Sequence, residues 1–141
     1  MPELEYVVLA DYVRQDAGVT HIMGAGIDTF AVPTVPAAVM AGIVVRLAFS
    51  SRDHVGAEHE AKFVFSGPPG DLLTLAQHFP TPPPAPGVPE HWRTALNLVA
   101  PRLVLPIPVH GNYRLTVSID DDPRLSRGVD VRAIAPEPGQ T

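Results

Sequence analysis

Alternating apolar and polar positions recur along the chain and predict β-strands. The clearest case is residues 113–119, where Tyr113, Leu115, Val117 and Ile119 share one face and polar side chains occupy the other. Successive side chains of a strand point to opposite faces, so a period of two indicates an antiparallel strand with one face in a core. We take this strand as the reference for the rest of the chain.

Similar segments surround it. Residues 4–13 predict a strand that is apolar on both faces and therefore covered on both sides, and residues 39–50 predict a second long strand. A turn at 16–18 and a return strand at 19–23 predict a hairpin. Residues 71–79 fit a helix or a strand, and their place between two turn signals favours the strand. Weaker patterns predict strands at 27–32, 57–65, 96–109 and 127–134.

Proline marks the connections. Residues 80–90 are dense in proline and predict a surface loop with polyproline-II character, since proline lacks the amide donor that helices and central strands need. Residues 90–94, after Pro89, fit one short helical turn, and the sequence leaves 90–97 open between helical and extended. Pro101 and Pro106 place the following strand at the edge of a sheet.

These elements predict an all-β fold. Eight or nine short strands separated by Pro/Gly turns, with at most one short helix, favour an antiparallel two-sheet β-sandwich, either immunoglobulin-like or jelly-roll-like. We expect residues 1–135 to form a single domain and residues 136–141 to form a flexible tail.

Charge and composition exclude several classes of function. The net charge is −5, and one lysine and nine arginines are scattered along the chain, so no basic patch for nucleic acid or an anionic membrane is expected. The chain has no cysteine, which excludes disulfides, zinc thiolate sites and thiol catalysis. The N-terminus has no secretory signal pattern, so we predict a cytoplasmic protein.

Two groups of side chains are candidate metal ligands. His59 with the adjacent Glu58 forms the first, and Asp120 with Asp122 forms the second, because imidazole and carboxylate groups bind divalent cations. Neither group completes a known ligand spacing such as H-E-x-x-H or the EF-hand loop. The alternative is structural: a solvated carboxylate face beside a packed histidine, and an acidic turn before Pro123.

Catalytic motifs are weaker still. Asp11, His21 and Asp28 are titratable, but no serine lies in a Gly-x-Ser-x-Gly elbow. The glycines at 24–26 are not followed by a helix pattern, so we interpret them as a bend and not as a phosphate loop. We therefore favour a protein that is not an enzyme, and we expect no cofactor.

The best candidates for partner binding are Trp92, Pro83 and Tyr12. An exposed tryptophan buries a large area on binding, and a polyproline-II segment loses little entropy when it is bound. The alternative for Trp92 is that it covers the end of the sandwich.

Several short motifs resemble an uncharacterised bacterial family of domains of unknown function. They are Leu9-Ala10-Asp11, the Ile-x-Gly-Ala-Gly segment at 22–26, His59 at the start of a middle strand, and the Gly111-x-Tyr113 strand that ends in Asp120. The chain departs from the family pattern at 66–70, where SGPPG replaces an acidic Asp-Gly turn. The resemblance implies one mainly β domain and no known activity.

Two functional hypotheses remain open from the sequence. The leading one is a non-catalytic module that binds another protein, or its own copy, through a sheet edge or a loop end, because proline-marked strands indicate exposed edges. The alternative is a β-sandwich that binds a small molecule or a metal, with enzymatic activity included.

Overall fold

The computed structural model describes residues 2–17, 19–50, 53–84, 86–87, 89 and 92–137. No helix is present in this part of the chain, and nine strands account for most of it. The strands are β1 (Glu3–Asp16), β2 (Val19–Ala25), β3 (Thr29–Ala31), β4 (Ala37–Phe49), β5 (Glu58–Gly67), β6 (Gly70–Pro80), β7 (Thr94–Ile107), β8 (Gly111–Ile119) and β9 (Asp122–Ile134).

The strands form two sheets with one apolar core between them. The first sheet has the order β2-β1-β4-β7, and the second has the order β3-β9-β8-β5-β6. Side chains of both sheets bury one continuous cluster that reaches from Leu4 in the first strand to Ala133 in the last. Burial of this apolar surface is the main force that holds the two sheets together. The predicted all-β sandwich is confirmed.

Most predicted strands are present. The reference strand is β8, and Tyr113, Leu115, Val117 and Ile119 are buried on its inner face as the alternation predicts. The ambiguous segment 71–79 is the strand β6, and the proline-marked strand β7 lies at a sheet edge. The segment 90–94, which fits a helical turn, includes Glu90 and His91, and these two lie outside the described residues. Residues 94–97 are extended.

One pair of strands is not antiparallel. β3 has only three residues, shorter than the predicted strand 27–32, and it pairs parallel to β9. Parallel strands cannot be joined by a tight hairpin, and β3 and β9 are separated in the chain by β4 to β8. The pairing is extended by the Arg132 amide, which donates to the Asp28 carbonyl at 2.9 Å.

The second half of β1 extends beyond its pairing with β4 and forms a hairpin with β2. Residues 3–10 of β1 pair with β4, whereas after Ala10, which pairs with both neighbours, β1 pairs with β2 alone. This hairpin packs on the outer face of the first sheet, where Ala10, Val13 and Val44 form a small second core. Gly42 makes the contact possible, since a Cβ there would lie 2.6 Å from a methyl group of Val13. Residues 6–10 and Val13 are buried or half-buried on both faces, as predicted, whereas Tyr12, also predicted to be covered, is 45% exposed.

A tyrosine fixes the chain where it enters β8. The Tyr113 hydroxyl donates to the Val109 carbonyl at 2.5 Å and accepts from the Val109 amide at 3.3 Å. Its ring stacks on Phe65 with the centroids 5.3 Å apart, over Gly67, where any Cβ would overlap the ring. The hydroxyl therefore gains hydrogen bonds while the ring is buried, as buried tyrosines require.

Candidate functional site

Loops close one end of the sandwich over a cavity of about 400 Å³. We call it the loop-end cavity, and its lining residues come from the end of β4, the following loop, the proline-rich segment after β6 and the start of β7. They are Phe49, Ser50, Asp53, Val55, Thr81, Pro82, Pro84, Pro89, Trp92 and Thr94. The volume lies within the range of small-molecule sites, and the lining combines apolar walls with a few polar groups.

A hydrogen-bonded network supports the floor of this cavity. Thr81 is 3% exposed and is the only buried polar residue in the described part of the chain. Its Oγ1 lies 2.7 Å from Nε2 of His59, and Nδ1 of the same imidazole lies 2.7 Å from Oδ2 of Asp120. The His59 ring packs between Phe49 and Phe79, with centroid distances of 5.8 and 5.4 Å.

The β8–β9 turn holds the carboxylate of this network in place. Asp120 and Asp121 both have φ near +50°, the geometry of a two-residue type I′ hairpin turn. The Glu60 amide donates to Oδ1 of Asp120 at 2.9 Å, and the Asp120 amide donates to the Glu60 carbonyl at 2.9 Å. The carboxylate is therefore aimed at His59 by backbone bonds across two strands.

The protonation pattern follows from these contacts. An ionised carboxylate only accepts hydrogen bonds, so Nδ1 of His59 carries the proton that Asp120 accepts. In the neutral imidazole, Nε2 then accepts from the Thr81 hydroxyl. The order hydroxyl, imidazole, carboxylate is that of a nucleophilic triad. Thr81 also lines the loop-end cavity, but only 3% of its surface is exposed, and the contacts of the network join three separate parts of the chain. The geometry favours a clamp that joins β5, the β8–β9 turn and the chain after β6.

A second polar contact lies at the cavity wall. The Ser50 amide donates to Oδ2 of Asp53 at 2.7 Å, and the Ser50 hydroxyl lies 3.3 Å from the same oxygen. Burial acts to raise the pKa of Asp53, but hydrogen bonds, including that from the Ser50 amide, outweigh it and hold the pKa below its ordinary value. Asp53 is therefore a carboxylate at neutral pH.

The predicted metal ligands do not gather at one point. His59 and Asp120 meet, but through a hydrogen bond that occupies both groups. Glu58 is exposed on β5, where alternation directs its side chain away from His59. Asp122 pairs with Arg124, whose Nη2 lies 3.0 Å from Oδ2. Among the described residues, no group of three or more histidine, aspartate and glutamate side chains is placed to hold a metal.

The predicted partner-binding residues are also separated. Trp92 is 61% exposed and lines the loop-end cavity. Pro83 lies between two lining prolines and is not itself part of the lining. Tyr12 is 45% exposed and lies beside Pro101 and Arg102, on the β1–β2 hairpin at the other end of the first sheet. These three residues therefore do not form one surface.

The strand β6 is a long sheet edge whose residues 73–77 carry no charge, proline or bulge. It has 11 residues and pairs only with β5 within the described chain. Natural proteins protect sheet edges with short strands, prolines, bulges or charges, because the unpaired backbone groups of an edge otherwise pair with another strand. β3 has three residues, and β7 carries Pro101, Arg102 and Pro106. Between Leu72 and Gln77, β6 has no charge and no proline. The fourth edge, β2, also has no proline, carboxylate, lysine or arginine, but it is shorter, with seven residues.

Part of the apolar surface of β6 also remains open. Leu75 lies opposite the core residue Phe63, so it belongs to the inner face of the second sheet, yet it is 38% exposed. Leu73 lies on the same face opposite Phe65 and is half-buried. The first sheet does not fully cover this edge, and a further strand beside β6 would cover more of it.

Two features of the structure are not predicted by the sequence patterns. Thr81 is the partner of His59, and its setting between Pro80 and Pro82 gives only a weak signal that it is ordered. The second feature is the position of β6 at the edge of its sheet, because the apolar/polar alternation within one strand does not determine the order of the strands. The one usable signal is the uncharged run from Leu72 to Gln77.

Comparison with known proteins places the chain in a family. A search of curated proteins finds no match to it. No helix long and apolar enough to cross a membrane occurs in the described residues. The chain matches the family of unknown function DUF6941 over residues 5–132, and it therefore belongs to that family.

Proposed function

We propose that this protein is a non-catalytic interaction module that binds an extended strand of a protein chain along the β6 edge. The observation that carries the proposal is the run of β6 from Leu72 to Gln77, which has no charge and no proline and includes the partly exposed Leu75. Strand addition satisfies the unpaired N–H and C=O groups of an edge, while side-chain contacts select the partner. That the protein is bacterial and cytoplasmic stays a prediction from its sequence.

A display library of extended peptides tests the proposal. The immobilised targets are the wild-type protein, Leu75→Lys, which charges the β6 edge, and the control Val104→Lys, which charges the edge strand β7 at a residue that is 56% exposed. We expect peptides that bind the wild type and the control and lose binding to Leu75→Lys. Peptides that bind all three proteins equally, or no peptides at all, would overturn the proposal.

The loop-end cavity supports a second candidate, the binding of a small molecule. Its volume of about 400 Å³ and the aromatic walls of Phe49 and Trp92 suit a compact ligand with an apolar body. The polar groups at the wall, among them the Asp53 carboxylate, would orient such a ligand.

Intrinsic fluorescence tests this second candidate, because Trp92 is the only tryptophan. A fragment library screened by ligand-observed NMR should give binders that change the tryptophan emission and that lose affinity in Trp92→Ala. Tyr12→Ala, distant from the cavity, is the control. Fragments that bind Trp92→Ala as well as the wild type would exclude the cavity as their site.

A further inference from the structure

We infer that the strand which adds to β6 is β6 of a second copy of this chain, antiparallel and centred on Leu75. This inference rests on the proposed use of the β6 edge and specifies the partner and the register. The pairing of the two β6 strands joins the two five-stranded sheets into one continuous sheet of ten strands around a two-fold axis, the commonest symmetry of homodimers.

The faces of β6 restrict the registers that are allowed. Leu73, Leu75 and Gln77 lie opposite inner residues of β5, whereas Thr74 and Ala76 lie opposite the outer residues Val64 and Lys62. Residues directly opposite in an antiparallel pair project to the same face of the sheet. A self-pair must therefore be centred on a residue and not between two residues.

Centring on Leu75 brings complementary side chains together. It sets Leu75 opposite Leu75 on the inner face, where each is 38% exposed in the single chain. It also sets Leu73 opposite Gln77 and Thr74 opposite Ala76. The two leucines at the axis then cover each other, at the place where the first sheet leaves the inner face of β6 open.

The ionisable side chains of β6 favour the same register. Asp71 and His78 are the only ionisable side chains of the strand, and they lie near its opposite ends. The register against β5 shifts between Phe65 and Ser66, so that Leu73 is opposite Phe65 and Asp71 is opposite Ser66, with Leu72 as the extra residue. With the same bulge at Leu72, Asp71 of one copy lies opposite His78 of the other, on the outer face.

This contact is made twice because of the two-fold axis. His78 Nε2 lies 3.5 Å from a Glu60 carboxylate oxygen on its inner neighbour β5, and His78 is largely exposed on the other side. In the paired sheet, His78 would lie between Glu60 and Asp71 of the second copy. No two like charges are directly opposite in this register, and like charges there would oppose pairing.

Substitution of Leu75, the residue at the axis, by charged residues tests the register. The average mass of the wild-type protein in solution should rise towards that of a dimer as the protein concentration increases from about 10 µM to about 1 mM. Leu75→Lys and Leu75→Glu each place like charges opposite each other and should raise the dissociation constant about tenfold. An equimolar mixture of the two variants should form a heterodimer, because the introduced lysine of one copy then faces the introduced glutamate of the other.

Cross-linking gives a second measurement that does not depend on affinity. The protein has no cysteine, so Leu75→Cys introduces a single thiol. Directly opposed strand residues have Cα atoms within the range that a disulfide spans. Oxidation should give a covalent dimer from Leu75→Cys and little from the control Val104→Cys.

The outcomes separate the two proposals. A dimer whose dissociation constant does not change in Leu75→Lys and Leu75→Glu, and that does not cross-link through Leu75→Cys, overturns the register. A strict monomer that still selects Leu75-dependent strand peptides overturns self-pairing and leaves the interaction module intact. A strict monomer that selects no such peptide overturns both.

Discussion

His59 Nε2 and Thr81 Oγ1 lie 2.7 Å apart, and this contact ties the start of β5 to the chain that follows β6. When the imidazole is neutral and its Nδ1 donates to Asp120, Nε2 is an acceptor and the Thr81 hydroxyl is its donor. The network therefore stabilises the end of the sandwich where the loop-end cavity lies.

Removal of the Thr81 hydroxyl should destabilise the protein. Thr81→Val keeps the shape of the side chain but leaves Nε2 of His59 without its donor, and the His59 side chain is only 12% exposed. An unsatisfied buried polar group costs about 1–3 kcal/mol of unfolding free energy. Urea unfolding measures the loss. The control Thr116→Val, on the outer face of β8, should change the free energy by no more than about 0.5 kcal/mol. Equal effects of the two substitutions would argue against the clamp.

The Tyr113 hydroxyl should contribute a similar amount. Tyr113→Phe removes both hydrogen bonds to the backbone of Val109 while the ring keeps its stacking on Phe65. We expect a loss of about 1–3 kcal/mol in the free energy of unfolding, since buried backbone groups lose their partner. Tyr12→Phe, at an exposed tyrosine, is the matched control. A neutral Tyr113→Phe would mean that water replaces the hydroxyl at no cost.

The ion pair at the start of β9 predicts a pH effect. Hydrogen bonds from the Arg124 side chain and backbone lower the pKa of Asp122 below its ordinary value. A carboxyl whose pKa is lower in the folded state stabilises the fold above its unfolded pKa, and this contribution is lost as the pH falls through the folded pKa. The effect should therefore appear only in the acid range, below about pH 4.

NMR titration of the Asp122 carboxyl measures this directly. In Arg124→Gln the pKa of Asp122 should rise towards its ordinary value, because the side-chain hydrogen bonds are its largest cause. Arg127→Gln removes an equal charge from the same strand and should leave the pKa of Asp122 unchanged. If both variants raise the pKa equally, the cause is the general charge of β9 and not the ion pair.

Local patterns predicted much of the fold. The alternation in β8, the turn before β2 and the prolines of β7 each act over a few residues, so a single sequence contains their signals. The parallel pairing of β3 is not predictable in this way, because it depends on where the chain crosses between sheets. The same holds for β6, whose strand character follows from its residues but whose edge position follows from the strand order.

The candidate sites were less predictable for the same reason. His59 and Asp120 were both identified from their chemistry, but their contact depends on the register of β5 against β8. Thr81 joins them only because β6 ends beside the start of β5. The two aromatic residues predicted to bind a partner lie apart: Trp92 lines the loop-end cavity, whereas Tyr12 lies at the opposite end of the sheet.

Amide hydrogen exchange along β6, measured by NMR at low and at high protein concentration, tests strand pairing at this edge most directly. In a single chain, alternate amides of β6 face solvent and should exchange rapidly, whereas pairing with another strand protects them. We predict that protection between Leu72 and His78 rises with concentration, while β2, β3 and β7 show no change. Exchange at β6 that is independent of concentration, or new protection at one of the other three edges, would contradict self-association through β6.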